Sequence, residues 1–477
     1  MPFTLRAARL FAVVTFATLL LFARPGFTAD TPPAAALSTA TLGRIDDAVT
    51  EVLKKTGAPS ASIAIVRDGR TVYVRAYGDA RLEPKLPAEP GMRYAIGSIS
   101  KQFTAAAILL LQQDGKLSLD DKVARFLPGL TRANDITIRQ LLSHTSGYQD
   151  YWPQDYLFPM MIEPVTPEGI MDRWARKPLD YEPGTKWQYS NTGYVIAGRI
   201  VEIASGKPLF QFLQERIFTP LNMTTVRDFD RQPLAAATVS GYTNYALGPP
   251  RPAGASGAGW LFGAGQLAMT ADDLARWDIS IMNRSLLSEA SYRALETEIL
   301  LANGAGTQYG LGVDVELEGP RRKIAHGGEV AGFTAENAIY PDERTAIVVL
   351  VNRDASRTTA QITEKLAELV FEKTQAADNA KTAQARAIFD GLQQGRLDRS
   401  LLTANANSYF TQQAIDDFKS SLAPLGAPSE FKQARTWLRG GMTGRSYDAK
   451  FADRTLRVWT YEMPDGKLEQ FQVAVKE

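Results

Sequence analysis

The sequence predicts an α+β fold: an antiparallel sheet flanked by helices in an α/β/α sandwich, an inserted all-helical subdomain, and a small C-terminal α+β domain. Three observations predict it. Hairpin patterns lie at both ends of the region from Thr41 to Phe371, helical patterns dominate between them, and strand patterns resume at Phe431.

From Thr41 to Lys55, Leu42, Ile45, Val49, Val52 and Leu53 recur at helical spacing, and Gly57 supplies a stop. Ser60 to Arg67 and Thr71 to Tyr77 read as strands around Asp68-Gly69, a two-residue hairpin signal. Ser100 to Gln113 reads as a buried helix ended by Gly115, and Gly193 to Ile203 as another helix. Ala335 to Tyr340 and Thr345 to Asn352 flank Pro341-Asp342-Glu343-Arg344 as a second hairpin. A helix with Ile362, Leu366, Leu369 and Val370 on one side follows it. Strands from the two ends are expected to form one sheet, which places a crevice between sheet and helical insertion. This domain is expected over residues 38–374. Residues 375–386, polar and alanine-rich (Gln375, Asp378, Asn379, Lys381), read as a linker or a frayed helix. In the remaining stretch, 387–477, Ala387 to Asn405 looks helical. Phe431 to Leu438, Ser446 to Phe451, Thr455 to Tyr461 and Lys467 to Val475 look like strands, the last two joined across Pro464-Asp465-Gly466.

A chain of 477 residues exceeds one ordinary core, in keeping with a large domain and a smaller one. A formal net charge of +1 with no basic cluster gives no footprint for nucleic acid or an anionic membrane. There is no cysteine, which excludes disulfides, thiol nucleophiles and thiolate metal sites. Only His144 and His326 are present, too few for a multi-histidine zinc centre, so no metal or cofactor is implied. Arg6 and Arg9, the apolar run Leu10 to Ala23 and the small residues near Ala29 form the pattern of a secretory signal peptide over residues 1–29. That run is short of the ~20 residues a helix needs to span a bilayer. An exported protein, periplasmic or secreted, is expected.

The chemistry is carried by widely separated fragments. In Ser98-Ile99-Ser100-Lys101, helical spacing lets the lysine reach back to the serine hydroxyl, which needs a neighbouring base to become a nucleophile. Burial would lower the lysine pKa into a useful range. Ser98 also falls at a helix N-terminus, where its own N–H can face a developing oxyanion. A serine-lysine pair at this spacing arises about once by chance in a chain of this length, and it recurs at Ser429-Glu430-Phe431-Lys432. The second copy precedes a strand and has no companion motif. Tyr189-Ser190-Asn191 follows Pro183-Gly184-Thr185 in a turn-rich stretch. It offers a phenol for proton transfer and an amide able to hold both Lys101 and a substrate carbonyl. Tyr242-Thr243-Asn244 competes at the same spacing. His326-Gly327-Gly328 lies beside a probable edge strand, where glycine admits close backbone approach and the Glu329 amide can complete an oxyanion hole. The histidine can donate a hydrogen bond across the pocket, while His144 is expected to order a loop.

These residues resemble the serine β-lactamase and penicillin-binding protein family. Within it they are similar to the class C-like branch of class C β-lactamases, D-alanyl-D-alanine carboxypeptidases, D-aminopeptidases and related esterases. The resemblance runs from about Leu42 to Phe371. Besides the motifs above it includes Leu142-Ser143-His144-Thr145-Ser146-Gly147, Gly263-Ala264-Gly265, Asp272-Asp273-Leu274 and Tyr309-Gly310-Leu311-Gly312. It implies that Ser98 forms an acyl-enzyme and that Lys101 and Tyr189 share the proton transfers. It also implies that Asn191 places the substrate and that the Ser98 and Glu329 amides bind the oxyanion. His326 stands where that family's lysine-threonine-glycine motif begins, and Glu329 where a serine or threonine is usual. Both departures weaken the binding of a substrate carboxylate. The expected activity is therefore hydrolysis of an ester or a D-amino-acid amide or peptide, ahead of efficient β-lactam hydrolysis or D-alanyl-D-alanine carboxypeptidase action. A small molecule or a peptide, including a cell-wall peptide, is the expected partner. A rival from another class is a catalytically idle peptidoglycan- or peptide-binding protein.

Overall fold

The computed structural model describes residues 37–476 apart from 155, 233, 235–238, 319–320, 440 and 441. The expected signal peptide lies outside the described residues.

Ser38 caps the first helix, α1 (Thr39–Thr56), by accepting the Thr41 N–H, and Gly57 ends it with φ +72. Strands β1 (Ser60–Arg67) and β2 (Arg70–Arg81) follow. Asp68 and Gly69 both adopt positive φ, 52° and 72°, the geometry that matches a two-residue turn to the twist of its strands. Short β3 (Leu86–Pro87) completes this edge. The other end supplies β4 (Asp314–Glu318), β5 (Arg321–Val330), β6 (Phe333–Tyr340) and β7 (Thr345–Val351). These form one seven-stranded sheet, ordered β3-β2-β1-β7-β6-β5-β4, in which every neighbouring pair is antiparallel. The ends of the domain meet at the β1–β7 ladder, where Ile63 opposes Val349.

Helices cover both faces of the sheet. On one, Ile45, Val49 and Val52 of α1 and Leu366 and Val370 of α5 (Thr358–Val370) pack on Ile63, Ile65 and Val349. On the other, Ala64, Val348 and Leu350 meet α2 (Ser100–Gln113) and α4 (Ala271–Asn283) through Phe103 and Trp277. Covered on both sides, β1 and β7 read as continuous apolar runs; each fully buried aliphatic side chain there contributes roughly 1.5–3 kcal/mol. The insertion between β3 and β4 is mainly helical and includes α2, α3 (Asn191–Ser205) and α4. The expected sandwich with its helical insertion is observed.

One reading is corrected in the C-terminal part. Residues 375–386, expected as a linker or a frayed helix, lie inside one helix, α6 (Glu372–Gln393). The helix expected over 387–405 stops at Gln393, just before Gly395 at φ +74; a short 3₁₀ turn and α7 (Ala404–Tyr409) follow. Strands β8 (Glu430–Arg439), β9 (Met442–Lys450), β10 (Thr455–Glu462) and β11 (Leu468–Val475) make a four-stranded antiparallel sheet in that order. Helices α6 and α8 (Gln412–Leu422) cover it through Phe389, Leu392, Ile415, Tyr447, Val458 and Phe471. Among the described residues no helix is long and apolar enough to cross a membrane.

Candidate active site

Ser98 lies in a 3₁₀ turn (Gly97–Ile99) that runs directly into α2. Gly97 takes φ +50, and a Cβ there would stand 2.6 Å from the Glu329 nitrogen. A Cβ on Gly328 would stand 3.2 Å from the Ser98 nitrogen. The two glycines thus let β5 lie against the turn and bring the Ser98 and Glu329 amides to one edge of the site.

One helical turn on, Lys101 is fully buried. Its Nζ stands 2.9 Å from Ser98 Oγ, 2.8 Å from Asn191 Oδ1 and 2.9 Å from the Ala264 carbonyl. Burial pushes its pKa down to about 7, against the opposing pull of Asp150. The hydrogen bonds fix the direction of proton flow. Asn191 Oδ1 and Ala264 O can only accept, so a neutral amine gives them its two N–H bonds and turns its lone pair toward the Ser98 hydroxyl. Asn191 is itself oriented by Asp150, whose carboxylate accepts the Asn191 backbone N–H at 3.0 Å and its side-chain amide at 3.3 Å.

The Tyr189 ring packs against the lysine, with its centroid 4.8 Å from Nζ. Its hydroxyl is buried without a hydrogen bond of ordinary geometry. Burial raises the phenol well above its ordinary range, and proximity to Ser98 offsets only part of that rise. The residue is therefore a protonated phenol at neutral pH.

His326 corrects an expectation. Its Nδ1 is bonded to the Gly327 carbonyl and its Nε2 to Tyr309 Oη at 2.9 Å, so neither nitrogen is free to donate across the pocket. Burial first, and Lys101 second, push it down to about 3, so it is neutral. Glu329 alternates with His326 along β5 and stands beside Thr334 of β6. Its carboxylate accepts the Ala355 N–H at 2.7 Å.

Ser98, Tyr189, Asn191, His326, Gly327, Gly328 and Glu329 all line one crevice of about 650 Å³, with Lys101 directly behind. Among its described lining residues are the carboxylates Asp150, Glu329, Glu336 and Asp354, and neither lysine nor arginine. The alternative motifs lie elsewhere. Tyr242 uses its hydroxyl to accept the Leu82 N–H at 2.7 Å, and Ser429 bonds the Lys450 carbonyl at the start of β8. His144 does order a loop: its carbonyl accepts the Gln188 N–H and the Tyr181 hydroxyl. Its ring also stacks on Tyr189 at 4.2 Å, a role the sequence did not disclose. Asp150 was likewise missed, and Tyr309 and Ala264, though in segments that carry the resemblance, had no role assigned. Asp150 belongs to no motif, and a carbonyl has no residue signature.

Helix-start serine, buried lysine, loop tyrosine and a glycine-lined strand edge define the serine acyl-transfer architecture of penicillin-recognising folds. The chain belongs to the Beta-lactamase family, whose model matches residues 45–371; it is a family of serine hydrolases. A D-aminopeptidase from Cereibacter sphaeroides is 33% identical over 306 residues, 63% of this chain and 58% of that relative, so the chain spans well under two thirds of its length. A penicillin-binding protein from Bacillus subtilis is 29% identical over 328 residues, 65% of this chain and 72% of that one. Two solved structures share the fold. The D-amino acid amidase from Ochrobactrum anthropi SV3, complexed with D-phenylalanine, has a TM-score of 0.61 at 22% identity and covers 70% of this chain and 100% of its own. The octameric penicillin-binding protein homologue from Pyrococcus abyssi has a TM-score of 0.60 at 21% identity and covers 91% of this chain and 100% of its own.

Proposed function

We propose that this chain hydrolyses an ester or an amide of a D-amino acid through an acyl-Ser98 intermediate, and that it favours substrates with a free amino group. The observation that carries the hydrolytic reading is the neutral-capable Lys101 amine, 2.9 Å from Ser98 Oγ and pointed at it by two carbonyl acceptors. Lys101 takes the Ser98 proton as Oγ bonds to the substrate carbonyl carbon. The carbonyl oxygen becomes an oxyanion, bound by the Ser98 and Glu329 amides. Tyr189 then gives its phenolic proton to the leaving nitrogen or oxygen and recovers one from the Lys101 ammonium. Water repeats the sequence on the acyl-enzyme, releasing the acid and restoring Ser98.

The substrate class rests on charge. Four carboxylates, and neither lysine nor arginine, among the described residues lining the crevice favour an ammonium over an anionic substrate, Lys101 behind Ser98 being partly neutralised by burial. Asp354 is 8% exposed; one of its carboxylate oxygens accepts the Gly332 N–H, and the other has no partner. The D-aminopeptidase relative and the D-amino acid amidase neighbour support the same class. The test compares a D-alanine anilide with its N-succinyl derivative and a chromogenic cephalosporin. The free amine is expected to have at least about tenfold the kcat/KM of either anion. Preference for the succinyl compound would refute the amine assignment, and fast cephalosporin turnover would make the chain a β-lactamase. We also propose export, from the charge and apolar pattern of residues 1–29; N-terminal sequencing of protein from the periplasm or medium tests it, and an intact Met1 counts against it.

A further inference from the structure

Behind Tyr189, three rings join in a chain whose two ends are backbone groups. The Ser190 N–H stands 3.1 Å from His144 Nδ1, His144 Nε2 stands 3.2 Å from Tyr309 Oη, and Tyr309 Oη stands 2.9 Å from His326 Nε2. His326 Nδ1 closes on the Gly327 carbonyl. Each end dictates a proton position. A carbonyl only accepts, so His326 carries its proton on Nδ1, and Nε2 of the neutral ring must accept. A backbone N–H only donates, so His144 Nδ1 is bare and its Nε2 carries the proton. Tyr309 is left to accept from His144 and donate to His326, the one arrangement that satisfies both ends. Neighbouring Tyr194 gives its proton to the Leu142 carbonyl at 2.6 Å, so it cannot donate to Tyr309; its oxygen is a second acceptor beside the Tyr309 hydroxyl, and only donation to His326 pairs Nε2 of that ring.

We propose that Tyr309 is a positioning residue, which locks His326 in the Nδ1–H tautomer and thereby fixes the Gly327–Gly328 peptide beside Ser98. A peptide group is planar, so holding the Gly327 carbonyl also sets the direction of the Gly328 N–H and the course of the strand up to the Glu329 amide. Neither histidine works as an acid, a base or a cation; their value is that they cannot rotate. Titratable neighbours agree with neutral rings: Lys101 depresses both histidines in addition to burial, and Tyr189, Tyr194 and Asp314 face Tyr309, whose own phenol is driven up by burial.

The inference rests on the acyl-serine reading but can fail separately from it. The chain holds two histidines, so protein labelled with ¹⁵N-histidine gives four ring nitrogens to read by NMR. The expected spectrum has one ring protonated on Nδ1 and one on Nε2, unchanged from about pH 5 to 8. In Tyr309→Phe the Nδ1–H ring should average between tautomers, and labelling of Ser98 by a fluorophosphonate should slow about tenfold, the scale of one buried hydrogen bond. Two rings of the same tautomer in the wild type, or a ring titrating in that range, would overturn the lock. So would a folded Tyr309→Phe labelled at the wild-type rate. A wild type that resists labelling while showing the expected tautomers would sink the hydrolase reading, and the positioning role with it, but leave the proton arrangement standing.

Discussion

Two of the chain's motifs occur twice, and comparing the copies shows what turns a motif into a site. Ser98 and Lys101 straddle the start of a helix buried on every side, where residues three apart share a face and the amine is stripped of water. Ser429 and Lys432 have the same spacing, but Lys432 lies on β8 and both residues are exposed. Three residues along a strand point to opposite faces, so that lysine cannot reach that serine. The tetrad matters only on a helix, and the helix only because it is buried.

The largest expected effect breaks this comparison directly. Ser98→Ala should abolish fluorophosphonate labelling, while Ser429→Ala leaves it at the wild-type rate. Lys101→Ala should slow acylation by on the order of 10²–10⁴-fold, the worth of a positioned base, and Lys432→Ala should change nothing. If Ser429 proved to be the labelled residue, the reasoning from helical spacing and burial would be wrong at its root.

A smaller effect sharpens the comparison. Lys101 has its pKa depressed from 10.5 to about 7, and the neutral amine is the base. Acylation should therefore rise with pH through about 7 and then level, losing about tenfold for each unit below it. The sign follows from the form that works: protonation removes the lone pair facing Ser98. An acylation rate flat from about pH 5 to 8 would mean that the lysine is not the base.

How much of this was legible in the sequence depended on whether a residue acts through its type and spacing or through its surroundings. Both hairpins of the main sheet, the buried helix and all seven predicted lining residues follow from periodicity, turn chemistry and motif order. The state of His326 was not legible, because its partner Tyr309 comes from another part of the chain and no local pattern joins them. Likewise the partner of the Glu329 carboxylate, the Ala355 N–H, comes from a segment that no local pattern joins to β5. The choice between linker and helix over residues 375–386 stayed open for a different reason. An alanine-rich polar run is compatible with either a tether or a helix exposed on most of its surface, and only the neighbouring apolar Ile388, Phe389 and Leu392 draw it into α6.

Asp150 tests a contribution with no motif behind it. Asp150→Asn would keep the shape but place an N–H against one of the Asn191 donors, loosening the amide that holds Lys101. A loss of about tenfold in kcat is expected, the scale of one or two hydrogen bonds. Asp150 also raises the lysine pKa, so its removal should move the acid limb of the pH profile to lower pH. A shift to higher pH would contradict the electrostatic assignment.

Of the two Tyr-x-Asn copies, the Tyr242 one provides the smallest effect on turnover, set against a large one at Tyr189. Tyr189 keeps a buried hydroxyl free of ordinary hydrogen bonds beside Ser98, whereas Tyr242 commits its hydroxyl to the Leu82 N–H outside the crevice. A free group can move a proton; a committed one holds structure. Tyr242→Phe should therefore leave kcat and KM within about twofold and cost roughly 1–3 kcal/mol of stability in denaturant titration, the cost of stranding one backbone donor. Tyr189→Phe should do the reverse, since its hydroxyl is buried with no hydrogen bond of ordinary geometry to lose, only the contact with Ser98: stability held or slightly raised, acylation down by on the order of 10²–10⁴-fold. Opposite signs in the two variants, one read by denaturation and the other by labelling rate, separate proton transfer from support, and matching signs would show that the distinction between the two tyrosines is wrong.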